Sequence, residues 1–347
     1  MNLLKSFSQL IRWKDWGPGK TTILMGLCFY IAGTYFLDFK FFSVTFILFL
    51  LFASAQSALG FVLNDWGDQE LDKKQGKPNV FINKSKKQKV LSLLLIIGLA
   101  ILSGFPFLNR PTFPVFWALW VFFAAAYSIN PLRFKTRGLS GMIISALSQW
   151  SLPVGLTFIV FGKAGGLNMY LWIFALTISG VTLEIAHQRW DRSRDSSTQA
   201  PTFATRISSG KIDKIYAYAV LMDQLAVGLA VGLVSWTFLT YKIWWSTVLA
   251  ISCLLIYLIL LILLLPKSWR ATGGGPVLDP YYGEGQLITR LLHEILPNFI
   301  LPILLIAVMT QFSPFYTLWL ALFLFWRVVL GKANLDLPFR ILHLKKI

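Results

Sequence analysis

Residues 42–72 read FSVTFILFLLFASAQSALGFVLNDWGDQELD. Positions 42–63 carry no charge, and such a run is long enough for a helix to cross the roughly 30 Å hydrocarbon core of a bilayer. Four carboxylates then follow within eight residues: Asp65, Asp68, Glu70 and Asp72. A helix that changes from wholly apolar to strongly acidic within one turn has left hydrocarbon for a polar layer. This single stretch gives the fold class, an all-α integral membrane protein.

The composition agrees. Of 347 residues, 56% are hydrophobic and only 14% charged, against about 25% charged in soluble domains, and the mean hydropathy is +0.64. Disordered chains need low hydrophobicity and disulfide scaffolds need many cysteines, so both classes are excluded. Cys28 and Cys253 sit inside apolar runs, where a free cysteine is a small hydrophobe. Further apolar windows lie near 21–38, 90–108, 113–130, 139–161, 168–187, 215–237, 244–265, 295–311 and 314–330. The last two meet at Pro314 as a hairpin or one broken element, so nine or ten transmembrane helices are expected. One domain is expected over residues 1–347, with long polar connections at 64–89, 188–214 and 266–294.

The chain carries 32 Lys+Arg against 15 Asp+Glu, a net charge of +17. In a membrane protein, such an excess collects in cytoplasmic loops and sets topology. With a cytoplasmic N-terminus, 23 basic residues fall in the N-terminal segment and the loops at 64–89, 131–138, 188–214 and 266–294. The opposite loops hold four: Lys40, Arg110, Lys163 and Lys242. Arg327, Lys332, Arg340, Lys345 and Lys346 favour a cytoplasmic C-terminus as well. The expected location is the plasma (inner) membrane, with all three long loops facing the cytoplasm.

Seven of the fifteen acids fall in two stretches, 65–72 and 184–195. On a helix, Asp65, Asp68 and Asp72 share one face, and so do Glu184, Asp191 and Asp195. Like charges at this spacing repel, and a divalent cation offsets the repulsion. Carboxylates together with phosphate oxygens suit Mg2+. Solvated helix ends would explain one such cluster; two on the same side of the membrane argue for a metal site.

These residues resemble the UbiA-type membrane prenyltransferases. Asn64, Asp65, Asp68 and Asp72 fill that family's NDxxDxxxD pattern, and Asp191 and Asp195 fill its second DxxxD motif. The stretch from Tyr127 to Lys135 is similar to its YSxxPxxxK segment. The resemblance implies a helical bundle around a central cavity open to the cytoplasmic side and the lipid. It implies a Mg2+-dependent intramembrane prenyltransferase that ionises a polyprenyl diphosphate and passes the prenyl group to a small acceptor. Asp65, Asp68 and Asp72 would hold one Mg2+, and Asp191 and Asp195 a second. Asn64, Arg133, Lys135, Lys73 and Glu184 would meet the diphosphate, and Tyr127, a further catalytic candidate, would line the cavity of the allylic cation. Arg133 and Lys135 have no acid nearby in sequence, so they are expected to contact diphosphate oxygens rather than form structural salt bridges. Replacing any one of Asp65, Asp68, Asp191 or Asp195 by Ala is expected to reduce turnover sharply and spare the fold.

Developing charge on the leaving diphosphate calls for metal ions and Lys/Arg. The allylic cation calls for a dry cavity with aromatic faces, and Trp66, Tyr127 and Trp190 lie beside the motifs. After Asp72 the sequence departs from the family's basic pair and Arg-Pro: it reads Lys73-Lys74-Gln75-Gly76-Lys77-Pro78, where Lys73, Lys74 or Lys77 could replace the arginines. His187 reads as structural, and His293 and Glu294 as interfacial. The 266–294 loop, with Asp279, Tyr281, Tyr282 and Glu284, is a lid, an acceptor element or a floppy connector. Two other functions compete: a terpene cyclase on the same fold, and a transporter or lipid-binding module without chemistry. The second would need charges near the bilayer midplane, whereas the acids cluster at helix ends.

Overall fold

A computed structural model describes residues 10–281 and 287–330. Lys5, Tyr282, Glu284, Lys332, Arg340, Lys345 and Lys346, all weighed above, lie outside the described residues. Among those described there are helices and no strand. They are α1 (Trp13–Thr34), α2 (Phe39–Gln75), α3 (Lys86–Gly104), α4 (Phe113–Ser128), α5 (Leu139–Val160), α6 (Leu167–Ser197), α7 (Ser209–Thr240), α8 (Trp244–Thr272), α9 (Leu287–Met309) and α10 (Tyr316–Leu324). Each apolar window of the sequence has its helix. Seven of the ten are long and apolar enough to cross a membrane by length and composition.

Several helices outrun their apolar windows. Helix α2 has 37 residues, about 55 Å at 1.5 Å per residue, which no hydrocarbon core can cover. Its acidic end therefore projects beyond the apolar layer as continuous helix, where a loop was expected from residue 64. The Asp38 side chain caps the start by accepting from the Phe41 amide at 2.9 Å. Gly76, at φ 64°, stops the helix in the left-handed conformation that glycine adopts without strain. Ser85 and Gln88 form a capping box that starts α3. Helix α6 likewise runs on to Ser197, and α8 runs through Pro266 to Thr272. The connections are thus shorter than the polar stretches at 188–214 and 266–294.

Neighbouring helices close a ring in the order α1, α2, α4, α5, α6, α7 and α9, which returns to α1; α3 packs outside α2, α8 outside α7, and α10 against α9. Only 22% of the apolar windows of α3 and α8 is buried. Leu91, Leu94 and Leu102 on α3, and Leu255, Ile259 and Ile262 on α8, stand exposed. Large apolar faces of this kind suit lipid rather than water. The main core, with Phe29, Phe42, Phe46 and Phe158 at its centre, fills the ring. A smaller cluster around Trp16, Val62 and Phe81 ties α1 and α2 to the loop before α3. Helix α5 loosens into a π turn at Leu147–Ser151 just before Pro153, and this turn carries Gln149 and Trp150.

Candidate active site at one end of the bundle

The two acidic helix ends meet. Lys77, just past the end of α2, places Nζ 3.3 Å from Asp191 Oδ2 on α6 and also lies within electrostatic reach of Asp195. Gln75 donates to Thr198 Oγ1 at 2.8 Å, fastening the same two ends. Asp65, Asp68, Asp72, Asp191 and Asp195 are all buried, an arrangement that needs compensating charge at every one of them.

Each cluster finds it differently. Asp65 is fully enclosed: Oδ1 accepts from Arg12 Nη1 at 2.6 Å and Oδ2 from the Val80 amide at 3.1 Å. Asn79 donates to Asp72 Oδ2 at 2.8 Å and to the Asp65 carbonyl at 2.7 Å. This holds the 76–85 connection against α2. Asp68 accepts from Arg133 Nη2 at 3.0 Å and pairs with Lys135. Asn64 Oδ1 accepts from Ser128 Oγ at 3.0 Å and from Lys135 Nζ at 3.3 Å. Asp191 pairs with Arg194 at 2.9 Å as well as with Lys77. Glu184 accepts from Ser145 Oγ at 3.1 Å and Gln188 Nε2 at 2.9 Å.

Arg133 and Lys135 thus do form ion pairs, contrary to the expectation from sequence. Asp68 is 65 residues from Arg133, and only the packing of α4 on α2 brings them together. Gly67 permits that approach, since a Cβ there would run into the carbonyl oxygen of Ser128. Arg133 itself sits at φ 31°, a left-handed conformation that costs a non-glycine residue on the order of 1 kcal/mol or more and persists only where tertiary contacts fix it. Burial pushes the Lys135 ammonium below the usual lysine range, and the neighbouring Asp68 carboxylate opposes the fall.

Tyr127, half-buried on α4, has Ser145, Glu184, Asp68 and Asp195 around it, so it stands between the two clusters. Other expected site residues are elsewhere. Lys73 is exposed on the last turn of α2, and Lys77 is the lysine that reaches the second cluster. Trp190 is 58% exposed, and Trp66 packs edge-on against Phe81, ring centres 5.7 Å apart. The His187 side chain is mostly exposed, 3.8 Å from Asp191.

Among the described residues no three His, Cys, Asp or Glu side chains converge as a metal cage. Their chemistry nonetheless fits Mg2+, which usually takes one or two carboxylates and completes its shell with phosphate and water oxygens. Four of the five motif aspartates, Asp68, Asp72, Asp191 and Asp195, are candidates. The fifth, Asp65, has both oxygens engaged in holding Arg12 and Val80.

Beside this layer a cavity of about 370 Å³ opens between α1, α6, α7 and α9. Aromatic and aliphatic groups (Trp16, Tyr30, Trp150, Trp172, Leu176 and Val227) line most of it, and Lys20, Arg290, Glu294 and Arg327 add charged groups to the lining. Lys20 bonds to Gln149, which donates to Ser145 Oγ at 2.6 Å. Because Ser145 also holds Glu184, an unbroken hydrogen-bonded chain runs from the cavity wall to the carboxylate layer.

Sequence reading missed a buried group here. Asp223, inside the apolar run of α7, accepts from Ser179, from Tyr281 Oη at 2.9 Å, and bonds to His293 Nδ1 at 2.5 Å. His293 is therefore buried, not interfacial. An acid within an apolar helix was the signal that could have found it, and it shows that the acids are not confined to helix ends. Asp279 also accepts from Tyr216 Oη at 3.0 Å and Arg189 at 3.3 Å. Residues 273–281 are thereby anchored on α6 and α7, which rules out a floppy connector for that part.

The model of the UbiA prenyltransferase family matches residues 21–272. A UbiA homolog from Archaeoglobus fulgidus bound to GPP and Mg2+ superposes with a TM-score of 0.55 at 17% identity, over 87% of this chain and 97% of that one. The same homolog bound to DMAPP and Mg2+ gives 0.52 at 14%, over 87% and 99%. A structure of digeranylgeranylglyceryl phosphate synthase gives 0.54 at 15%, over 87% and 96%. At these identities the likeness establishes a shared fold. No curated protein matches in sequence.

Proposed function

The chain belongs to the UbiA prenyltransferase family, and from that premise we propose that it transfers a prenyl group from a polyprenyl diphosphate to a small acceptor within the membrane. One observation carries the reading: the ion pair between Lys77 and Asp191 joins two buried aspartate clusters into one charged layer above an aromatic-lined cavity. The structural neighbours bound to GPP or DMAPP with Mg2+ support a prenyl diphosphate as donor and magnesium as cofactor.

Breaking the allylic carbon–oxygen bond leaves an electron pair on diphosphate and a cation on carbon. Magnesium, held by Asp68 and Asp72 on one side and Asp191 and Asp195 on the other, would neutralise charge that builds on the leaving group. Arg133, Lys135 and Lys77 are the chain's own donors to that group, each exchanging a carboxylate partner for phosphate oxygens. Charge-assisted bonds of this kind gain strength in a site shielded from water. Asn64, tied to Ser128 and Lys135, orients the lysine. Trp150, Trp172 and Tyr30 line the cavity that would receive the organic part, where a cation gains from cation–π attraction. The seven long apolar helices and the 23-to-4 distribution of Lys and Arg support a membrane-embedded chain with the site on the cytoplasmic side.

Mass spectrometry of lipid extracts from cells with and without the gene tests the reading. A prenylated species that depends on the gene is expected. A cyclised hydrocarbon formed without acceptor would mark a cyclase instead, and no difference between the extracts would remove the enzyme reading.

A further inference from the structure

The cavity beside the carboxylate layer is spanned at two levels. At the upper level Lys20 on α1 bonds to Gln149, which donates to Ser145 Oγ at 2.6 Å, and Ser145 donates to Glu184 on α6 at 3.1 Å. At the lower level Tyr30 on α1 meets Trp172 on α6 edge-on, ring centres 5.0 Å apart. Lys20, Tyr30 and Trp172 line the same cavity. Ten residues of α1 and twelve of α6 separate the two levels, about 15 and 18 Å of helix, so the cavity is a shaft running along the bundle. Ile23 and Leu27 on α1, Val227 and Ala230 on α7, and Leu301 and Leu305 on α9 make its wall apolar. The lower end is shut. Tyr30, Trp172, Val234 and Leu305 are all buried, and one turn beyond Tyr30 the hydroxyls of Thr34 and Thr237 hydrogen-bond from α1 to α7 at 2.8 Å. The flank is shut as well: a Cβ on Gly26 of α1 would come 2.8 Å from Pro302 Cγ on α9, so these helices close on each other at mid-depth.

Resting on the prenyltransferase reading above, we infer that this shaft holds the donor's tail whole and limits it to four isoprene units, and that Trp172 sets the limit. An isoprene unit lengthens the chain by four bonds of about 1.5 Å, or about 5 Å when extended. Three units fill the shaft between its two levels. Asp191 stands seven residues beyond Glu184 on α6, about 10 Å, a distance that the metal, the diphosphate and the first unit share. A fifth unit would have to enter the closed end, where added volume forces the packing apart. Extra length brings little in return, because lipid already surrounds the tail with apolar groups before it binds. Trp172 is the stop because it is the residue of the lower level that keeps surface in the cavity, 8% exposed against 1% for Tyr30, which backs it from α1.

The test uses purified full-length protein in detergent with Mg2+. Farnesyl, geranylgeranyl and geranylfarnesyl diphosphate, of three, four and five units, displace labelled GPP, and the ratios of their dissociation constants are read. Loss of folded protein weakens all donors alike and leaves the ratios unchanged. In wild type, geranylgeranyl diphosphate is expected to bind within about threefold of farnesyl, and geranylfarnesyl at least about tenfold more weakly than geranylgeranyl. Trp172→Ala removes the stop and should bring geranylfarnesyl within about threefold of geranylgeranyl. Ala230→Phe fills the shaft above its lower level and should make geranylgeranyl at least about tenfold weaker than farnesyl. Geranylfarnesyl diphosphate that binds wild type as well as geranylgeranyl does, or a ratio left unchanged by either variant, would overturn the limit and mean that the tail leaves the shaft for the lipid. The donor reading fails in a different way: if labelled GPP does not bind wild type with Mg2+, a prenyl diphosphate is not the donor, and the limit falls with it.

Discussion

Asp65 is closed off by Arg12 while Asp68, one turn further along α2, faces Arg133 and Lys135. Two aspartates of one motif thus stand in different circumstances. Asp65 has no exposure, and its two oxygens bind the chain on either side of it, Arg12 before α1 and Val80 before α3. Its removal strands a guanidinium and an amide in the interior. Asp65→Ala is therefore expected to lower stability by about 3 kcal/mol, the lower end for breaking a buried pair because Arg12 keeps some solvent contact. Denaturation of the detergent-solubilised protein measures this, and a midpoint equal to wild type would contradict it. This prediction departs from the expectation that Asp65 can be removed with the fold intact, because its carboxylate is enclosed and holds two segments of the chain.

Asp191→Ala behaves differently. Its partners Lys77 and Arg194 are partly exposed and can turn to water, so the fold should hold. Turnover should fall about 100-fold or more, as when one stabilising group is lost from a site of developing charge. Excess EDTA should abolish activity in the wild type, and added Mg2+ should restore it. Activity that persists in EDTA would rule out the metal.

Lys135 and Lys87 distinguish a functional cation from a topological one. Lys135 lies against Asp68 and Asn64, whereas Lys87 is exposed on the first turn of α3. Lys135→Ala should reduce turnover or donor affinity at least tenfold, about 1.4 kcal/mol, and Lys87→Ala should change neither. A higher Michaelis constant would mean that Lys135 grips the donor equally throughout; a lower turnover number would mean that it tightens on the developing charge. Equal kinetics for the two variants would take Lys135 out of the site.

Gly67 sets the approach of α2 to α4. An alanine methyl there must displace the Ser128 backbone, and with it Arg133 and Tyr127. Gly67→Ala should cost about 1–3 kcal/mol of stability, as overpacking does, and reduce turnover by more than that loss of folded protein explains. Specific activity per folded molecule is the measurement; a normal value would show that the α2–α4 spacing is unimportant to the site.

Topology can be read by cysteine labelling. Cys28 and Cys253 are buried, so they give little background. Lys86→Cys and Ser197→Cys should be protected from an impermeant reagent in intact cells, while Lys163→Cys should react. Labelling of residues 86 and 197 from outside would reverse the proposed orientation.

The sequence by itself determined the membrane class, the apolar helices and the two acidic faces, because these depend on local properties: run length, helical period and charge spacing. Asp65, Asp68 and Asp72 share a face wherever α2 is placed. Local pattern does not report which charges meet across the bundle. Lys77 with Asp191, Arg133 with Asp68, and Arg12 with Asp65 are separated by 114, 65 and 53 residues. Helix packing alone decided those pairs, with Gly67 making one of the approaches possible. Packing also decided that Asp223 and His293, 70 residues apart, face each other inside the bundle. A buried charge is tolerated only with a partner, and the tertiary structure chose the partner.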